Sequence, residues 1–153
     1  MLVANRGEIA IRVMRAAAEL NIPTVAVFPN DDAVSLHTGK ADEAVALEGV
    51  GSAAYLDIEQ IIGVTKKTGC DAVHPGCGFL AENPEFARRC VEEGLTFIGP
   101  SVSALEVFGD KARARVAAVT AGVPVIRGLD HAVPLAETVA FFNSIGDGRG
   151  MMI

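Results

Sequence analysis

Short apolar runs alternate along this chain with longer stretches in which apolar residues return every three or four positions. The runs at 2–5, 24–28, 43–47, 70–73 and 96–98 are of strand length, and β-branched residues such as Val25 and Val27 favour that state. The run at 2–5 begins almost at the first residue, so an upstream residue or two of that strand is expected. Between the runs the period is helical. From Gly7 to about Leu20, Glu8, Arg12, Arg15 and Glu19 share one face while Ile9, Val13 and Ala17 turn inward, and Asn21 and Pro23 end the helix. A second helix, 57–67, has Ile58, Ile61, Ile62 and Val64 as its apolar side and is closed by Gly69. A third starts at Pro84 behind Asn83 as cap, turns Phe86, Ala87, Cys90 and Val91 inward, and ends at Gly94. Residues 33–38 read as a short helix or turn and 48–54 as a Gly-rich surface loop.

Strand followed by helix, repeated in this way, predicts an α/β fold: a Rossmann-like, doubly wound parallel sheet with helices on both faces. Beyond it, 101–108 reads as a short helix with Ser103 and Glu106 in capping-box spacing. Asp110 then caps a helix to about Ala121, residues 123–126 read as a strand, and a last helix from Pro134 carries Leu135, Val139, Phe142 and Ile145 on one side. A turn at 146–150 leads into 151–153, the start of a strand that is not finished, so the chain is expected to be the front part of a longer protein.

One connection stands out chemically. His74-Pro75-Gly76-Cys77-Gly78-Phe79-Leu80-Ala81-Glu82-Asn83 joins the fourth strand to the helix at Pro84. It is longer than the roughly 2 to 6 residues usual for such loops, and it spends Phe79 and Leu80 where polar residues are expected. Either those two side chains plug the top of the core, or the loop binds something beyond the carboxyl ends of the strands, where ligands of open parallel sheets sit. A second unusual feature is the crowding of Lys111, Arg113 and Arg115 into the first turns of the helix after Asp110. The helix dipole is already positive there, and each added cation costs about 0.3 to 1 kcal/mol. A bound anion would relieve this; so would side chains bent back to Asp110, Glu106 or solvent. The mixed-charge stripe of the first helix likewise reads as a solvated face with intrahelical pairs or as a contact face.

Composition narrows the function. With 19 acidic residues against 13 basic ones, a net charge of -6 offers no field to attract nucleic acid or an anionic membrane surface. The 3 cysteines have no metal-like spacing and argue for a reducing compartment, with Cys70 and Cys90 as small core residues. No apolar run approaches the roughly 20 residues that span a bilayer. The cytoplasm is the expected location, or the matrix if a leader has been lost. An acidic residue among Asn30, Asp31 and Asp32 could hold a ribose, but the first turn, Asn5-Arg6-Gly7-Glu8, lacks the G-x-G-x-x-G that admits a pyrophosphate. A nicotinamide cofactor is disfavoured.

Taken together, Leu2-Val3-Ala4-Asn5-Arg6-Gly7-Glu8-Ile9-Ala10, Ala41-Asp42-Glu43-Ala44, His74-Pro75-Gly76 with Gly78-Phe79-Leu80 and Glu82-Asn83, Phe97-Ile98-Gly99-Pro100-Ser101 and Gly109-Asp110-Lys111 resemble the biotin carboxylases of biotin-dependent acyl-CoA and pyruvate carboxylases. The likeness runs in order over nearly the whole chain. It implies an ATP-grasp ligase that carboxylates biotin on a carrier domain from MgATP and bicarbonate through carboxyphosphate. Residues 1–108 would be its amino-terminal Rossmann-like (pre-ATP-grasp) domain and 109–153 the truncated start of the ATP-grasp region.

Lys111 matches the family lysine on the nucleotide phosphate, and Gly78 a position lining the biotin pocket. Cys77 stands where the family usually has Tyr, so an aromatic wall beside biotin is missing. Arg12 and Arg15 match homodimer-interface positions of bacterial biotin carboxylases, and Asn5 to Glu8 are given a structural role. The magnesium ligands, the lysine after 151–153, and the base and arginine of carboxyl transfer would lie outside this stretch, so no catalytic residue is assigned and the stretch alone is expected to be inactive. The resemblance implies a biotin carboxyl carrier domain and a carboxyltransferase as partners, and a homodimer. The alternatives are a urea carboxylase of the same set or a non-catalytic dimerisation module.

Overall fold

The computed structural model describes residues 1–129 and 131–145. They fall into two compact units, 1–109 and a second beginning at Asp110. In the first unit, strands β1 (Leu2–Val3), β2 (Val25–Pro29), β3 (Glu43–Leu47), β4 (Ala72–His74) and β5 (Thr96–Phe97) form an all-parallel sheet of order β3-β2-β1-β4-β5. The chain thus starts in the middle, builds outward to β3, then returns to the other side of β1. The expected α/β fold is the one observed.

Helices α1 (Gly7–Glu19), α2 (Gly51–Tyr55), α3 (Ile58–Lys67), α4 (Pro84–Glu92) and α5 (Val102–Phe108) complete the unit. Adjacent residues of β1 point to opposite faces, which divides the core in two. Leu2 joins Val27, Leu47, Tyr55, Ile61, Val73, Phe86 and Cys90 in the larger cluster, fed by α2, α3 and α4. Val3 joins Ala10, Met14 and Ala26 in a smaller one under α1. Both faces carry helices, but unevenly: within residues 1–109, α1 alone supplies buried helix residues to the second face. Asp57, Asn83 and Ser101 cap α3, α4 and α5 by accepting from backbone N–H groups two or three residues on. Arg89 ties α4 to α3 by gripping both carboxylate oxygens of Glu59, at 2.8 and 3.1 Å. Asn21, at φ 55, ends the stretch after α1 as its sequence suggests.

Several local expectations need correction. Residues 48–54 are not all loop, because α2 forms from Gly51. The Gly51 amide is held by both carboxylate oxygens of Asp31 at 3.0 Å, a start signal from 20 residues away that no local pattern could reveal. Of the helix or turn expected at 33–38 the turn is what forms, and a short helix that was not expected precedes it at Asn30–Asp32. Val91 is 65% exposed, since one step past buried Cys90 rotates the side chain about 100° around the helix. On α1, Ala10 and Met14 are the buried positions with Ala17, while Ile9 and Val13 are half-buried. Ser101 rather than Ser103 caps α5, and Glu106 pairs with Arg88 at 2.6 Å.

In the second unit, α6 (Lys111–Thr120) is capped by Asp110, which accepts from the amides of Ala112 and Arg113 at 2.9 Å each. Residues 123–126 form no strand: no neighbouring strand pairs with them among the described residues. The apolar side expected for the last helix exists on α7 (Leu135–Ile145) but is not covered, with Leu135 78% exposed. The turn at 146–150 and the strand at 151–153 lie outside the described residues.

Candidate functional site

Neighbouring strands β1 and β4 are followed by connections that diverge, one toward β2 and one toward β5. That is the topological switch point, where the carboxyl ends of the strands open a crevice. Asn5 and Arg6 leave β1 there, and the loop from Pro75 leaves β4 beside them.

Asn5 is buried, and its side-chain amide donates to the carbonyls of Pro75 at 2.7 Å and Cys77 at 3.0 Å. Its side-chain oxygen accepts from the Arg6 amide at 2.9 Å. This packing fixes the residue between the two carbonyls. Gly76 has φ +71, and a Cβ there would stand 2.5 Å from the Asn5 amide nitrogen. Only glycine fits. The Gly76 amide in turn donates to Nδ1 of His74 at 3.0 Å, which requires an unprotonated Nδ1; burial lowers the His74 pKa and so favours that state. Gly78, at φ +69, has nothing within 4 Å of where a Cβ would be and faces open space. Cys77 is an exposed free thiol.

The two readings of the loop divide between its apolar residues. Leu80 is 1% exposed and plugs the core. Phe79 is only half-buried, and its φ of 46 is unusual for a large side chain. Its ring stacks on Tyr55 with centroids 5.1 Å apart, and the Arg6 guanidinium lies 5.8 Å from each ring centre. Asp32, in the short helix that follows β2, accepts from Arg6 at 3.1 Å, Tyr55 at 2.9 Å and Ser35 at 3.0 Å. Burial alone would push the Asp32 carboxyl up, but these hydrogen bonds outweigh it and hold the group below its usual range. Burial, and then the bond to Asp32, push the Tyr55 phenol up.

Tyr55 was not picked out by sequence, and Arg6, Asp32 and Phe79 were noted separately there, not as one group. The signal was partly there: Arg6 and Asp32 each follow one of two strands that pair in parallel, so topology brings them to the same rim.

Arg12 and Arg15 lie exposed one turn apart on α1, and no ion pair among the described residues includes either. The intrahelical pairs allowed by their spacing do not form. Arg12 shares an apolar groove of about 480 Å³ with Val13, Leu20, His74, Cys77 and Ile98. Lys111 is the first residue of α6, exposed and without an ion pair among the described residues. Arg115 turns back toward Gly128, where an added Cβ would meet its guanidinium at 3.2 Å. No group of three or more His, Cys, Asp or Glu side chains could hold a metal ion among the described residues, and no described helix is long and apolar enough to cross a membrane.

These features define a class: a doubly wound parallel α/β domain with a glycine-bearing loop fixed at the switch-point rim. Comparison with known proteins makes the class specific. Residues 1–105 match the family described as biotin carboxylase, N-terminal domain. A pyruvate carboxylase of Bacillus subtilis is 52% identical over 168 residues, covering 100% of this chain and 14% of that protein. The solved biotin carboxylase domain of a single-chain bacterial carboxylase superposes with a TM-score of 0.90 at 51% identity, over 94% of this chain and 34% of that one. A biotin carboxylase domain dimer of a Hydrogenobacter thermophilus 2-oxoglutarate carboxylase, in complex with MgADP, ADP and bicarbonate, gives 0.89 at 46% identity, over 95% and 32%. The chain belongs to the biotin carboxylase N-terminal domain family. It spans about a seventh of the pyruvate carboxylase and a third of these solved domains.

Proposed function

We propose that this chain is the amino-terminal part of a biotin carboxylase that uses MgATP and bicarbonate to carboxylate biotin on a carrier domain, for a carboxyltransferase to pass on. Residues 1–108 form its Rossmann-like domain and 109–153 begin the ATP-grasp region. The observation that carries the reading is the Asn5-pinned Gly76–Gly78 turn at the switch point, inside a stretch matched to the family over residues 1–105.

Gly78 presents open backbone to the biotin ring, beside Cys77 in place of an aromatic side chain. Lys111 meets the nucleotide phosphates. Phosphoryl transfer depends on positioning and on neutralising charge, and an exposed ammonium at a helix start, without an ion pair among the described residues, supplies both. Arg12 and Arg15 belong to a homodimer contact, consistent with their exposure and with their lack of ion pairs among the described residues. The magnesium ligands and the groups of carboxyl transfer lie outside this stretch. Free Cys70, Cys77 and Cys90 fit a cytoplasmic enzyme.

The final acceptor is chosen elsewhere in the protein: this stretch handles only the carboxyl donor, and it is shared with a pyruvate carboxylase at 52% and a 2-oxoglutarate carboxylase at 46% identity. The test is transfer of labelled carbon from bicarbonate to free biotin by the intact enzyme, followed by offering pyruvate, 2-oxoglutarate, an acyl-CoA and urea. ATP-dependent label in biotin is expected. Label that appears only in urea points to the alternative carboxylase, and none at all refutes the reading.

A further inference from the structure

Consecutive residues hold the two ends of the Gly76–Gly78 turn, and they do so differently. Asn5 grips the backbone of Pro75 and Cys77. Arg6 reaches the other end through Phe79, whose left-handed φ of 46 costs energy unless its surroundings over-determine it. Those surroundings are a stack on Tyr55, a guanidinium over both rings, and a carboxylate, Asp32, that fixes the guanidinium and the phenol together. A residue that only filled the core would need none of this. Leu80 fills the core next door, and the Arg6 side chain remains 45% exposed.

We propose that Arg6, Asp32, Tyr55 and Phe79 form a clasp that positions Gly78 for biotin, making Arg6 a positioning residue of the carboxylation site. The proposal rests on the functional reading above. The clasp joins the ends of β1, β2 and β4, so it sets the Gly78–Phe79 peptide relative to the sheet without touching the ligand. Its loss loosens the hold on biotin and leaves the nucleotide contact alone.

The experiment uses the intact enzyme with free biotin as substrate, and compares the Michaelis constants for biotin and for ATP in Arg6→Ala, Arg6→Lys and Tyr55→Phe. Arg6→Ala is expected to raise the constant for biotin about fivefold, in keeping with the loss of a partly exposed cation over two rings, with the constant for ATP within about twofold of the parent. Arg6→Lys keeps the charge but loses the planar stack and falls between the two. Tyr55→Phe keeps the ring and raises the constant for biotin about threefold, the lower part of the range for the loss of one hydrogen bond. Thermal unfolding of each variant identifies any that fail to fold, and Arg6→Lys and Tyr55→Phe then decide. Unchanged biotin constants, or equal rises for biotin and ATP, overturn the clasp. If the unmodified enzyme does not carboxylate biotin, the functional reading fails first and the clasp falls with it.

Discussion

Replacing Gly76 by Ala tests the geometry of the switch-point loop, and its cost can be worked from the structure. The left-handed φ of +71 alone costs a side-chain-bearing residue about 1 to 2 kcal/mol. The new Cβ would also sit 2.5, 2.7 and 2.8 Å from three atoms of Asn5, contacts that force the Asn5 side chain away. Two hydrogen bonds, to Pro75 and Cys77, are then lost, at about 1 kcal/mol each. The total is about 3 to 4 kcal/mol, a large share of the roughly 5 to 15 kcal/mol that holds a domain together. Gly78→Ala is the internal control: its φ of +69 brings the same backbone cost, but its Cβ would meet nothing within 4 Å, so only about 1 to 2 kcal/mol is expected. Urea unfolding of the 153-residue chain measures both. Its single tyrosine, with no tryptophan present, makes Tyr55 fluorescence a reporter of this unit. Equal destabilisation by the two substitutions would refute the Asn5 contact as the source of the difference.

Arg12→Glu combined with Arg15→Glu is expected to shift the intact enzyme from dimer toward monomer in sedimentation equilibrium, with its melting temperature little changed because both side chains are exposed. The half-buried imidazole of His74 has a pKa below its ordinary 6.5, so the folded chain binds fewer protons than the unfolded one in the window between the two values. Stability therefore falls as pH drops below about 6.5, the ordinary histidine value, with the bond from the Gly76 amide lost on protonation; acid titration of the melting temperature, flattened by His74→Asn, checks this. Asp110→Ala removes a cap that serves two amides and is expected to cost α6 about 1 kcal/mol, read as faster amide exchange at Ala112 and Arg113.

The sheet could be read from the sequence because its signals are local: β-branched runs, helical periods and capping residues lie within a few positions of what they determine. Glu43–Leu47 was placed at its observed bounds, Asn83 and Asp110 cap as expected, and Asp57, read as the first residue of its helix, caps it. What escaped was tertiary. Gly51 starts a helix because Asp31 reaches it, and Ser101 took the cap that a nearby spacing assigned to Ser103. The site divides in the same way. The Gly76 to Phe79 loop announced itself by length and composition, whereas the Arg6 to Asp32 pairing depends on β1 and β2 being neighbours. The strand expected at 123–126 finds no partner among the described residues, and its own sequence says nothing about one.

In the proposed function biotin and ATP are met by two separate groups, Gly78 and Lys111, and a paired kinetic measurement on the intact enzyme addresses that division directly. Lys111→Ala should raise the Michaelis constant for ATP about tenfold or more, the loss of one charge-assisted contact, while leaving that for biotin unchanged. Gly78→Ala should do the reverse. An unchanged constant for ATP in Lys111→Ala, or both constants moving together in both variants, would contradict it.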